Sequence, residues 1–376
     1  MRVLFPFVGD TVGGSHHSVA LLLSALPSLG IQPVCLIHRR GLLAPFFRAN
    51  GIESLDDAVG LPVWESEGGG PRNIVRLLAL IPRITEALRR YGADVVHVND
   101  ARMAITWGVP SRLLGIPLVV HQRTRLVPSR ISQLALASAT AIVAISEFTR
   151  QSLPARMLPR TNVVANPFSS PRVGDRSAAR AALRERFGLP HERPIIAVVG
   201  TIQAQKRQTV AVEVLAALHD RGFVATLLLV GRAEGFEVGA VRDLVVKNGL
   251  QDWVKILGYQ AEMEDFWAGC DLLLAPAVNE GHGRAVVEAM LAGVPVIASS
   301  SGGHIEIVHD SVTGVLVKAD DVNEMTTAAA ELLFLRPDTA SALAGRAREW
   351  ALSRFSVNAH AEAIAAIYRT VVPECG

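Results

Sequence analysis

Short apolar runs alternate along the chain with longer segments of helical periodicity, and this rhythm occurs twice. The runs are rich in Val, Ile and Leu and lack polar alternation, which is typical of strands buried on both faces of a parallel sheet. Turn residues or a helical pattern follow each run, as expected for strand–helix units. We therefore predict an α/β protein with two parallel sheets. The predicted strands are 3–8, 33–37, 95–98, 117–120, 141–144 and 162–165 in the first half, and 195–199, 225–230, 254–257, 272–275, 294–298 and 314–317 in the second.

Chain length and turn-forming residues indicate two domains. The 376 residues exceed the ~250–300 residues at which a single core stops growing. The segment 166–192 is rich in proline around an Arg/Ala helical pattern, so we expect the boundary there. The predicted organisation is an N-terminal domain over 1–167, a linker over 168–192, a second domain over 193–355 and a C-terminal segment, 356–376, whose helix can pack back on the first domain.

The composition excludes several classes of protein. Half of the residues are hydrophobic and 19% are charged, a balance that excludes intrinsic disorder. Cys35, Cys270 and Cys375 are far apart and form no CxxC pair, so neither a disulfide framework nor a cysteine zinc site is indicated. No apolar stretch reaches the ~18 residues of a membrane span. We expect a cytoplasmic protein, either free or peripheral on the inner face of the membrane.

Charge is distributed unevenly between the two halves. Residues 1–170 carry 17 arginines, no lysine and 10 acidic residues, which gives +7, whereas residues 171–376 carry 20 basic and 25 acidic residues, which gives −5. The net charge of +2 gives no reason to expect nucleic acid as a partner.

The basic first half predicts an anionic partner, either a phosphorylated or lipid-linked molecule or the membrane surface that carries it. A solvated basic face is the alternative, because 33 of the 37 basic residues are Arg and the bias runs through the whole chain. The arginines concerned are Arg72, Arg76, Arg83, Arg89, Arg90, Arg123, Arg125 and Arg130, with Leu77, Leu78, Leu80 and Ile81 interleaved among the first of them.

Glycine turns at strand ends are candidates for a phosphate site, because exposed backbone N–H groups and a helix dipole meet an anion there. The GxGxxG pattern is absent, and Gln205 precedes Lys206 where the Walker pattern requires glycine. Ordinary dinucleotide enzymes and P-loop enzymes are therefore disfavoured. The Gly13-Gly14 pair, before a helix predicted over 19–26, either lets a ligand approach the backbone or is a plain tight turn.

The segment 280–290, EGHGRAVVEAM, directly follows the predicted strand 272–275. Gly281 and Gly283 free the backbone to bend and to expose N–H groups toward an anion. Glu280 and Glu288 bracket the turn and the first turns of a helix, and their carboxylates can accept hydrogen bonds from sugar hydroxyls. The segment is therefore a candidate site for a ligand that carries both an anion and a sugar.

Three spaced motifs resemble those of the retaining nucleotide-sugar glycosyltransferases of family 4, the glycosyl transferases group 1. In that family two glutamates separated by seven residues precede an Ala-Met pair, as Glu280 and Glu288 do here. A Gly-Gly-x-x-Glu turn follows, matched by 302–306, and a Thr-Gly pair precedes the last strand, matched by Thr313-Gly314. The resemblance covers nearly the whole chain and implies the GT-B fold, in which two Rossmann-like domains face each other across a cleft.

The resemblance also implies roles for individual residues. Lys206 resembles the lysine that binds the donor diphosphate, and Gly258-Tyr259 the loop that reads the base. His121 resembles a strand-end histidine placed against the sugar, with a hydrogen-bonded structural histidine as the alternative. The implied catalytic residues are Glu280, Lys206 and His121; the donor-binding residues are Gly13, Gly14, Gly200, Thr201, Arg207, Gly231, Gly258, Tyr259, Gly281, His282, Gly283, Arg284 and Glu288; the acceptor-side residues are His16, Asn99, Arg123 and Arg125.

Three positions depart from the family pattern. Thr201 stands where the family usually has Arg, so one of two cations for the diphosphate is missing, and Arg207 or Arg284 is a candidate to replace it. His282 stands where an aromatic residue is common, and Ala277 replaces a frequent Ser. These departures bear on the preference for sugar and nucleotide more than on the reaction class.

The reaction implied is transfer of a sugar from a nucleoside diphosphate sugar to a hydroxyl acceptor with retention at the anomeric carbon, in the setting of cell-surface polysaccharide or glycolipid synthesis. No cofactor is implied, and no metal is expected because the chain contains no Asp-x-Asp pair. A nucleotide-sugar epimerase, a phosphorylase of the same fold and an inactive nucleotide-sugar-binding protein are the alternatives. The base, the sugar, the acceptor, the linkage and the oligomeric state stay open, because no readable motif sets them.

Overall fold

The computed structural model describes residues 1–55, 60–61, 63, 71–127, 129–171, 175–189, 193–233, 235–260 and 262–372. The side chains of 71–74, 76, 77, 130 and 131 are likewise not described. The predictions made for Arg72, Arg76, Leu77, Arg130 and Cys375 therefore lie outside the described residues. The chain forms two compact units, one of Met1–Ser169 with Phe355–Gly376 and one of Ser170–Arg354.

The first unit is built on a seven-stranded parallel sheet with the order β3-β2-β1-β4-β5-β6-β7. Its strands are β1 (Arg2–Phe7), β2 (Gln32–Ile37), β3 (Ser54–Leu55), β4 (Val95–Val98), β5 (Leu118–Gln122), β6 (Ala141–Ala144) and β7 (Thr161–Val163). Its helices up to the domain boundary are α1 (Gly14–Ala25), α2 (Leu43–Ala49), α3 (Pro71–Tyr91), α4 (Ala101–Leu113), α5 (Arg130–Ala137) and α6 (Glu147–Gln151), with 3-10 turns at Leu26–Leu29 and Ala155–Arg160.

The second unit is built on a six-stranded parallel sheet with the order β10-β9-β8-β11-β12-β13. Its helices are α7 (Arg176–Phe187), α8 (Gln208–Asp220), α9 (Phe236–Lys247), α10 (Glu264–Gly269), α11 (Arg284–Leu291), α12 (His304–Ile307), α13 (Val322–Ala330) and α14 (Pro337–Arg354), with a 3-10 turn at Ala204–Lys206 and a π-helical turn at Glu331–Leu335. Its strands are β8 (Ile195–Val199), β9 (Thr226–Val230), β10 (Val254–Gly258), β11 (Leu272–Ala275), β12 (Val296–Ser299) and β13 (Val315–Val317).

The predicted α/β class with two parallel sheets is confirmed. Strands β4, β6, β11 and β12 are buried at every position, as strands covered by helices on both faces should be. The edge strand β3 is absent from the sequence prediction, because two residues, one of them Ser54, give no apolar run. Helix α1 begins at Gly14 and not at 19 as predicted, with Gly13 as its N-cap residue.

The last helix, α15 (Val357–Val371), belongs to the first unit. Ser356 caps the helix by accepting a hydrogen bond from the Ala359 amide. The buried face of α15, which includes Ile364 and Tyr368, packs against residues of β1, β4 and β5. The helix α7, within the segment predicted as a linker, belongs instead to the second unit, where Arg176 donates to the Cys270 carbonyl.

No helix in the described part of the chain combines the length and hydropathy that a bilayer crossing requires.

The carboxyl ends of the parallel strands lie along one edge of each sheet, here called the carboxyl edge, which is where such folds bind ligands. In the second unit the chain leaves β8 and β9 through Gly200 and Gly231, and the Gly200 amide donates to the Val230 carbonyl at 2.8 Å. Gly231 has a φ of 145°, and a Cβ atom at this position would overlap the Gly200 carbonyl oxygen. Only glycine therefore fits where these two loops cross.

We expect Gly231→Ala to destabilise the second unit by about 2–3 kcal/mol, because the new methyl group meets backbone and the φ disfavours a side chain. Gly239→Ala is the matched control: this exposed glycine lies inside α9, and a Cβ there meets nothing within 4 Å. The control is expected to stabilise by about 0.5–1 kcal/mol. Urea unfolding of both variants measures the difference, and equal midpoints would contradict the prediction.

Candidate functional site

The loops that follow β8 and β11 meet at the carboxyl edge of the second unit. Lys206 ends the 3-10 turn after β8, and its side chain lies across Gly200, where a Cβ would sit 3.2 Å from Lys206 Cε. The Val278 amide in the loop after β11 donates to the Gln205 carbonyl at 2.8 Å. The Lys206 ammonium donates to Glu280 Oε2 at 2.5 Å. The structure thus brings together two residues that the sequence proposed separately as catalytic.

The Lys206–Glu280 pair is largely buried, with 24% and 19% of the two side chains exposed. Burial by itself would raise the pKa of Glu280, but the charge and hydrogen bond of Lys206, helped by His304, hold that pKa below its usual value. Glu280 is therefore a carboxylate at neutral pH. The pair places one fixed negative and one fixed positive charge side by side at the carboxyl edge.

The Gly302-Gly303 turn fixes the backbone of this carboxylate. The Gly303 amide donates to the Glu280 carbonyl at 2.7 Å. A Cβ on Gly302 would lie 2.5 Å from that carbonyl oxygen, and one on Gly303 would lie 2.8 Å from the Gly281 carbonyl oxygen. Any larger residue would push the two loops apart, so the Gly-Gly motif is explained by close backbone packing.

His304 lies beneath the same loop and was not singled out from the sequence. A Cβ on Gly283 would sit 2.8 Å from His304 Cδ2, and His304 Nδ1 is 3.3 Å from the Ser299 hydroxyl. Burial lowers the pKa of His304 to about 4, although Glu280 opposes the shift. His304 is therefore neutral at neutral pH. The signal in the sequence was its position directly after the glycine pair.

Helix α11 begins after Gly283, which has a φ of 89°. The Arg284 guanidinium donates to Glu288 Oε1 at 2.9 Å, one helical turn away. His282, before Gly283, is buried. The proposed donor residues of this segment therefore lie on one short stretch of loop and helix.

Both candidates to replace the missing family arginine form ion pairs. Arg207 Nε lies 3.0 Å from Asp320 Oδ1, and Arg284 is paired with Glu288. At the position of the missing arginine, the Thr201 carbonyl accepts a hydrogen bond from Gln208 Nε2 at 3.1 Å. The two arginines are paired with Asp320 and Glu288, whereas Glu280 is paired with Lys206.

The predicted base-reading loop joins the same edge. The Gly258 carbonyl at the end of β10 accepts from the Gly231 amide at 2.9 Å, and Gly258 has a φ of 67°. Tyr259, the next residue, has 60% of its surface exposed. Gly200, Gly231 and Gly258 therefore lie side by side at the carboxyl ends of three adjacent strands, β8, β9 and β10.

In the first unit a histidine cluster lies at the carboxyl edge. His97 of β4 has its Nδ1 2.5 Å from the Tyr368 hydroxyl and its Nε2 3.3 Å from His121 Nδ1 of β5. The ring of His360 from α15 stacks on His121 at 6.0 Å between centroids. His97, His360 and Tyr368 were missed by the sequence analysis. A histidine inside the otherwise apolar strand Val95–Val98 was the available signal.

Arg123 organises this cluster. Its guanidinium donates to Asn99 Oδ1 at 2.8 Å, to Asn166 Oδ1 at 2.6 Å and to His121 Nδ1 at 3.2 Å. Two predicted acceptor-side residues, Arg123 and Asn99, are thus in direct contact with each other. Arg125 is not part of the cluster, because its guanidinium lies over the Phe148 ring at 5.7 Å.

Every histidine near Arg123 has a lowered pKa. Burial is the larger cause and the Arg123 charge is the second. Together they lower the pKa of His16, and they lower the pKa of His97 and of His121 much further. The same two causes, in the same order, lower the pKa of His360 to about 3. All four rings are therefore neutral near neutral pH. Within the described ranges, no group of three or more His, Cys, Asp or Glu side chains is arranged to hold a metal ion.

The start of α1 completes the first unit's edge. The Gly13 amide donates to His16 Nδ1 at 3.1 Å, and the His16 amide donates back to the Gly13 carbonyl at 2.9 Å. A Cβ on Gly13 would meet nothing within 4 Å, so no neighbour in the described structure requires glycine there. The open space above Gly13 is compatible with a ligand that approaches the backbone.

The chain matches two family descriptions. Residues 179–350 match Glycosyl transferases group 1, and residues 12–169 match Glycosyltransferase Family 4. Among curated proteins, the chain is 31% identical over 316 residues to the 2-deoxystreptamine glucosyltransferase of Streptomyces kanamyceticus, covering 77% of this chain and 80% of that protein.

A second relative is the GDP-mannose-dependent alpha-(1-6)-phosphatidylinositol monomannoside mannosyltransferase of Mycobacterium tuberculosis. It is 32% identical over 222 residues, which cover 56% of this chain and 57% of that protein. Among solved structures, Alr3699/HepE of Anabaena in complex with UDP and glucose superposes with a TM-score of 0.83 at 22% identity, covering 98% of this chain and all of that one. At this identity the likeness establishes the fold.

The neutral histidines predict a loss of stability in acid. The folded pKa values of His97, His121, His304 and His360 lie below 6.5, so below about pH 6.5 the unfolded chain binds more protons than the folded one. Stability should therefore fall as the pH falls from 6.5 toward the folded pKa values, by up to ~1.4 kcal/mol per pH unit for each histidine. Urea unfolding at several pH values between about 7 and 5 measures this slope.

His360→Asn is the informative variant, because its amide can keep the donation that His360 Nδ1 makes to the Ala165 carbonyl but does not titrate. We expect the slope below pH 6.5 to become shallower by up to ~1.4 kcal/mol per pH unit. If the variant and the wild type have the same slope, the pKa of His360 is not lowered on folding, which contradicts the prediction.

Proposed function

Because the chain belongs to the glycosyl transferases of group 1 and family 4 and is a glycosyltransferase with the GT-B fold, we propose that it moves a sugar from a nucleoside diphosphate sugar to a hydroxyl acceptor with retention at the anomeric carbon. The observation that carries this proposal is the Lys206–Glu280 pair above a glycine-lined sheet edge. A cation that can bind a diphosphate and a carboxylate that can bind sugar hydroxyls are neighbours there. In a nucleoside diphosphate sugar, the diphosphate and the sugar are likewise neighbours.

The barrier to transfer lies in breaking the bond between the anomeric carbon and the diphosphate oxygen. Negative charge grows on that oxygen while the sugar becomes oxocarbenium-like, so preorganised donors aimed at the oxygen lower the barrier. We assign this role to the Lys206 ammonium and to the backbone N–H group of Arg284, because the Gly283 N–H group donates to the Glu280 carboxylate. The ammonium is already held in place by Glu280, which limits the reorganisation that the reaction needs.

The two glutamates supply acceptors for hydroxyl groups. Glu280 stays ionised beside Lys206, and we assign it to the hydroxyls of the transferred sugar. Glu288 lies one turn into α11 and is paired with Arg284; we assign it to the ribose hydroxyls. The acceptor oxygen then bonds to the anomeric carbon, and its proton passes to the departing phosphate oxygen, so no separate general base is required.

We propose the UDP-sugars, with UDP-glucose first, as the donors to test. The support is that the Streptomyces relative is named a glucosyltransferase and that the Anabaena structure is a complex with UDP and glucose. The Mycobacterium relative is named as dependent on GDP-mannose, so GDP-mannose belongs in the same panel.

We expect Lys206→Ala to lower kcat/KM for the donor by ~10²–10³-fold, because one charge-stabilising donor is lost. Glu288→Ala should weaken nucleoside diphosphate binding about tenfold, the effect of one hydrogen bond to a charged group. Thermal shift with the nucleotide panel measures binding, and release of nucleoside diphosphate measures turnover. Lys247→Ala, an exposed lysine of α9, is the matched control and should behave as wild type.

The site is wrongly assigned if both Lys206→Ala and Glu288→Ala turn over the donor at the wild-type rate. This comparison is made at limiting and at saturating donor concentrations.

The assay is also run in excess chelator, where activity should persist because we propose that Lys206 and the N-terminus of α11 face the diphosphate in place of a metal. Activity lost in chelator and restored by Mg²⁺ would contradict that assignment. A changed sugar without acceptor would instead identify an epimerase.

We further propose that α3 lies on an anionic membrane surface that carries the acceptor. The described exposed residues of α3 include apolar and basic side chains: Val75 and Leu78 are 66% and 59% exposed, and Arg83, Arg89 and Arg90 are exposed, with Glu86 between them. The opposite face, with Leu80 and Ile84, is buried in the core. Exposed apolar side chains next to arginines are typical of helices at a bilayer interface.

We expect binding to anionic vesicles that falls steeply with salt, because each basic residue near such a surface contributes ~1 kcal/mol and is screened within ~10 Å at 0.1 M salt. The double variant Arg83→Glu with Arg89→Glu should weaken vesicle binding at least about tenfold. Arg242→Glu with Lys247→Glu, on exposed positions of α9, makes the same change in net charge and is the control. Equal binding to neutral and anionic vesicles, or none to either at low salt, would refute this proposal.

A further inference from the structure

Arg207 and Asp320 form an ion pair between two loops at the carboxyl edge of the second unit. Arg207 directly precedes α8, and Asp320 follows β13 in the loop before α13. The helices α8 and α13 pack against each other, which brings the two loops together. Arg207 Nε lies 3.0 Å from Asp320 Oδ1.

Both residues of this pair have a left-handed backbone. The φ angle is 54° at Arg207 and 61° at Asp320, in the region that favours glycine. Among the described residues, four other than glycine have a positive φ, and these are two of them. Backbone strain of this kind persists where the surrounding structure or a function requires it. An arginine at such a position indicates a use for its side chain that outweighs the strain.

The Arg207 guanidinium is held loosely. One terminal nitrogen donates to Asp320 Oδ2 and the other to the Ala204 carbonyl, each at 3.4 Å, which is beyond the usual range of such bonds. Nε makes no hydrogen bond to any described residue, and 38% and 50% of the two side chains are exposed. The Arg284–Glu288 contact is shorter, at 2.9 Å, and stays within one helical turn. Of these two arginines, Arg207 is therefore the one that can change partners.

Arg207 directly follows Lys206, whose ammonium we assigned to the diphosphate. Their Cα atoms are about 3.8 Å apart, because the peptide bond between them is trans. The two long side chains are paired with different carboxylates, Glu280 and Asp320. A guanidinium released from Asp320 can therefore reach an anion that the Lys206 ammonium holds. Its planar fork matches two oxygens of a phosphate, which an ammonium does not.

We propose that Arg207 leaves Asp320 when a nucleoside diphosphate sugar binds and becomes the second cation on the diphosphate, and that Asp320 is a built-in competitor of the ligand. The inference rests on the proposed function for the presence of a diphosphate beside Lys206. Binding exchanges one anionic partner of the guanidinium for another. The affinity for a diphosphate is therefore lower than it would be without the Asp320 carboxylate.

The test uses two substitutions with opposite expected effects on UDP binding. Arg207→Ala should weaken binding about tenfold, the effect of a lost hydrogen bond between charged groups. Asp320→Asn should strengthen binding, up to about tenfold if the pair holds Arg207 for roughly nine-tenths of the time. Calorimetric titration with UDP, and with inorganic pyrophosphate as a probe without base or sugar, measures both effects. Unchanged or weaker binding in Asp320→Asn overturns the proposal.

A double-mutant cycle separates release of Arg207 from a change in net charge. In the Arg207→Ala background, Asp320→Asn should have no further effect on UDP binding. An equal gain in both backgrounds would show that the lost negative charge acts directly on the ligand, and would overturn the proposal. Glu213→Gln, at an exposed position of α8, makes the same change in charge and should leave UDP binding unchanged. A gain there as large as in Asp320→Asn would likewise refute the specific role of Asp320.

Arg207→Gly separates binding from stability. This variant loses the same charge as Arg207→Ala, but glycine accommodates the left-handed backbone, so its urea unfolding midpoint should be the higher of the two. UDP binding should nevertheless fall equally in both variants. Affinities that follow the unfolding midpoints would show a merely structural role and overturn the proposal.

Lys206→Ala distinguishes a failure of this inference from a failure of the proposed function. If UDP binding falls in Lys206→Ala but not in Arg207→Ala, the diphosphate site is confirmed and the role of Arg207 is wrong. If the wild-type protein binds neither UDP, GDP nor pyrophosphate, the proposed function and this inference are both wrong.

Discussion

Gly302 and Gly303 lie with their backbone directly against that of Glu280 and Gly281, and the position of the Lys206–Glu280 ion pair depends on that contact. The loop after β11 is held from one side by this turn and from the other by the Val278–Gln205 hydrogen bond. With both sides fixed, the Glu280 carboxylate has little freedom to move away from Lys206. Preorganisation of this kind is what electrostatic stabilisation of a leaving group requires.

The two units use charge in different ways at their carboxyl edges. In the second unit, positive groups are matched by carboxylates: Lys206 by Glu280, Arg284 by Glu288 and Arg207 by Asp320. The cations of this edge are therefore held in fixed orientations by their carboxylate partners.

In the first unit, by contrast, Arg123 is surrounded by asparagine oxygens and neutral imidazole rings. Burial together with the Arg123 charge keeps those rings neutral, which turns the histidines into fixed hydrogen-bond donors and acceptors rather than proton carriers. In the proposed transfer the leaving phosphate takes the acceptor proton, and such a reaction needs groups that orient the substrate and do not titrate. The electrostatics of the first unit fit that requirement.

The sequence by itself determined the elements and the family. Buried parallel strands are apolar runs, so every described strand except the two-residue β3 was found, and the motif around Glu280 and Glu288 indicated the family. Only the tertiary structure decided which side chains meet: Lys206 and Glu280 are 74 residues apart in the chain, and His97 and Tyr368 are 271 apart. Periodicity reports which face of an element is buried, because burial is a local property of each position. It carries no information on contacts between elements, since these follow from strand order and from loops that only glycine allows to touch.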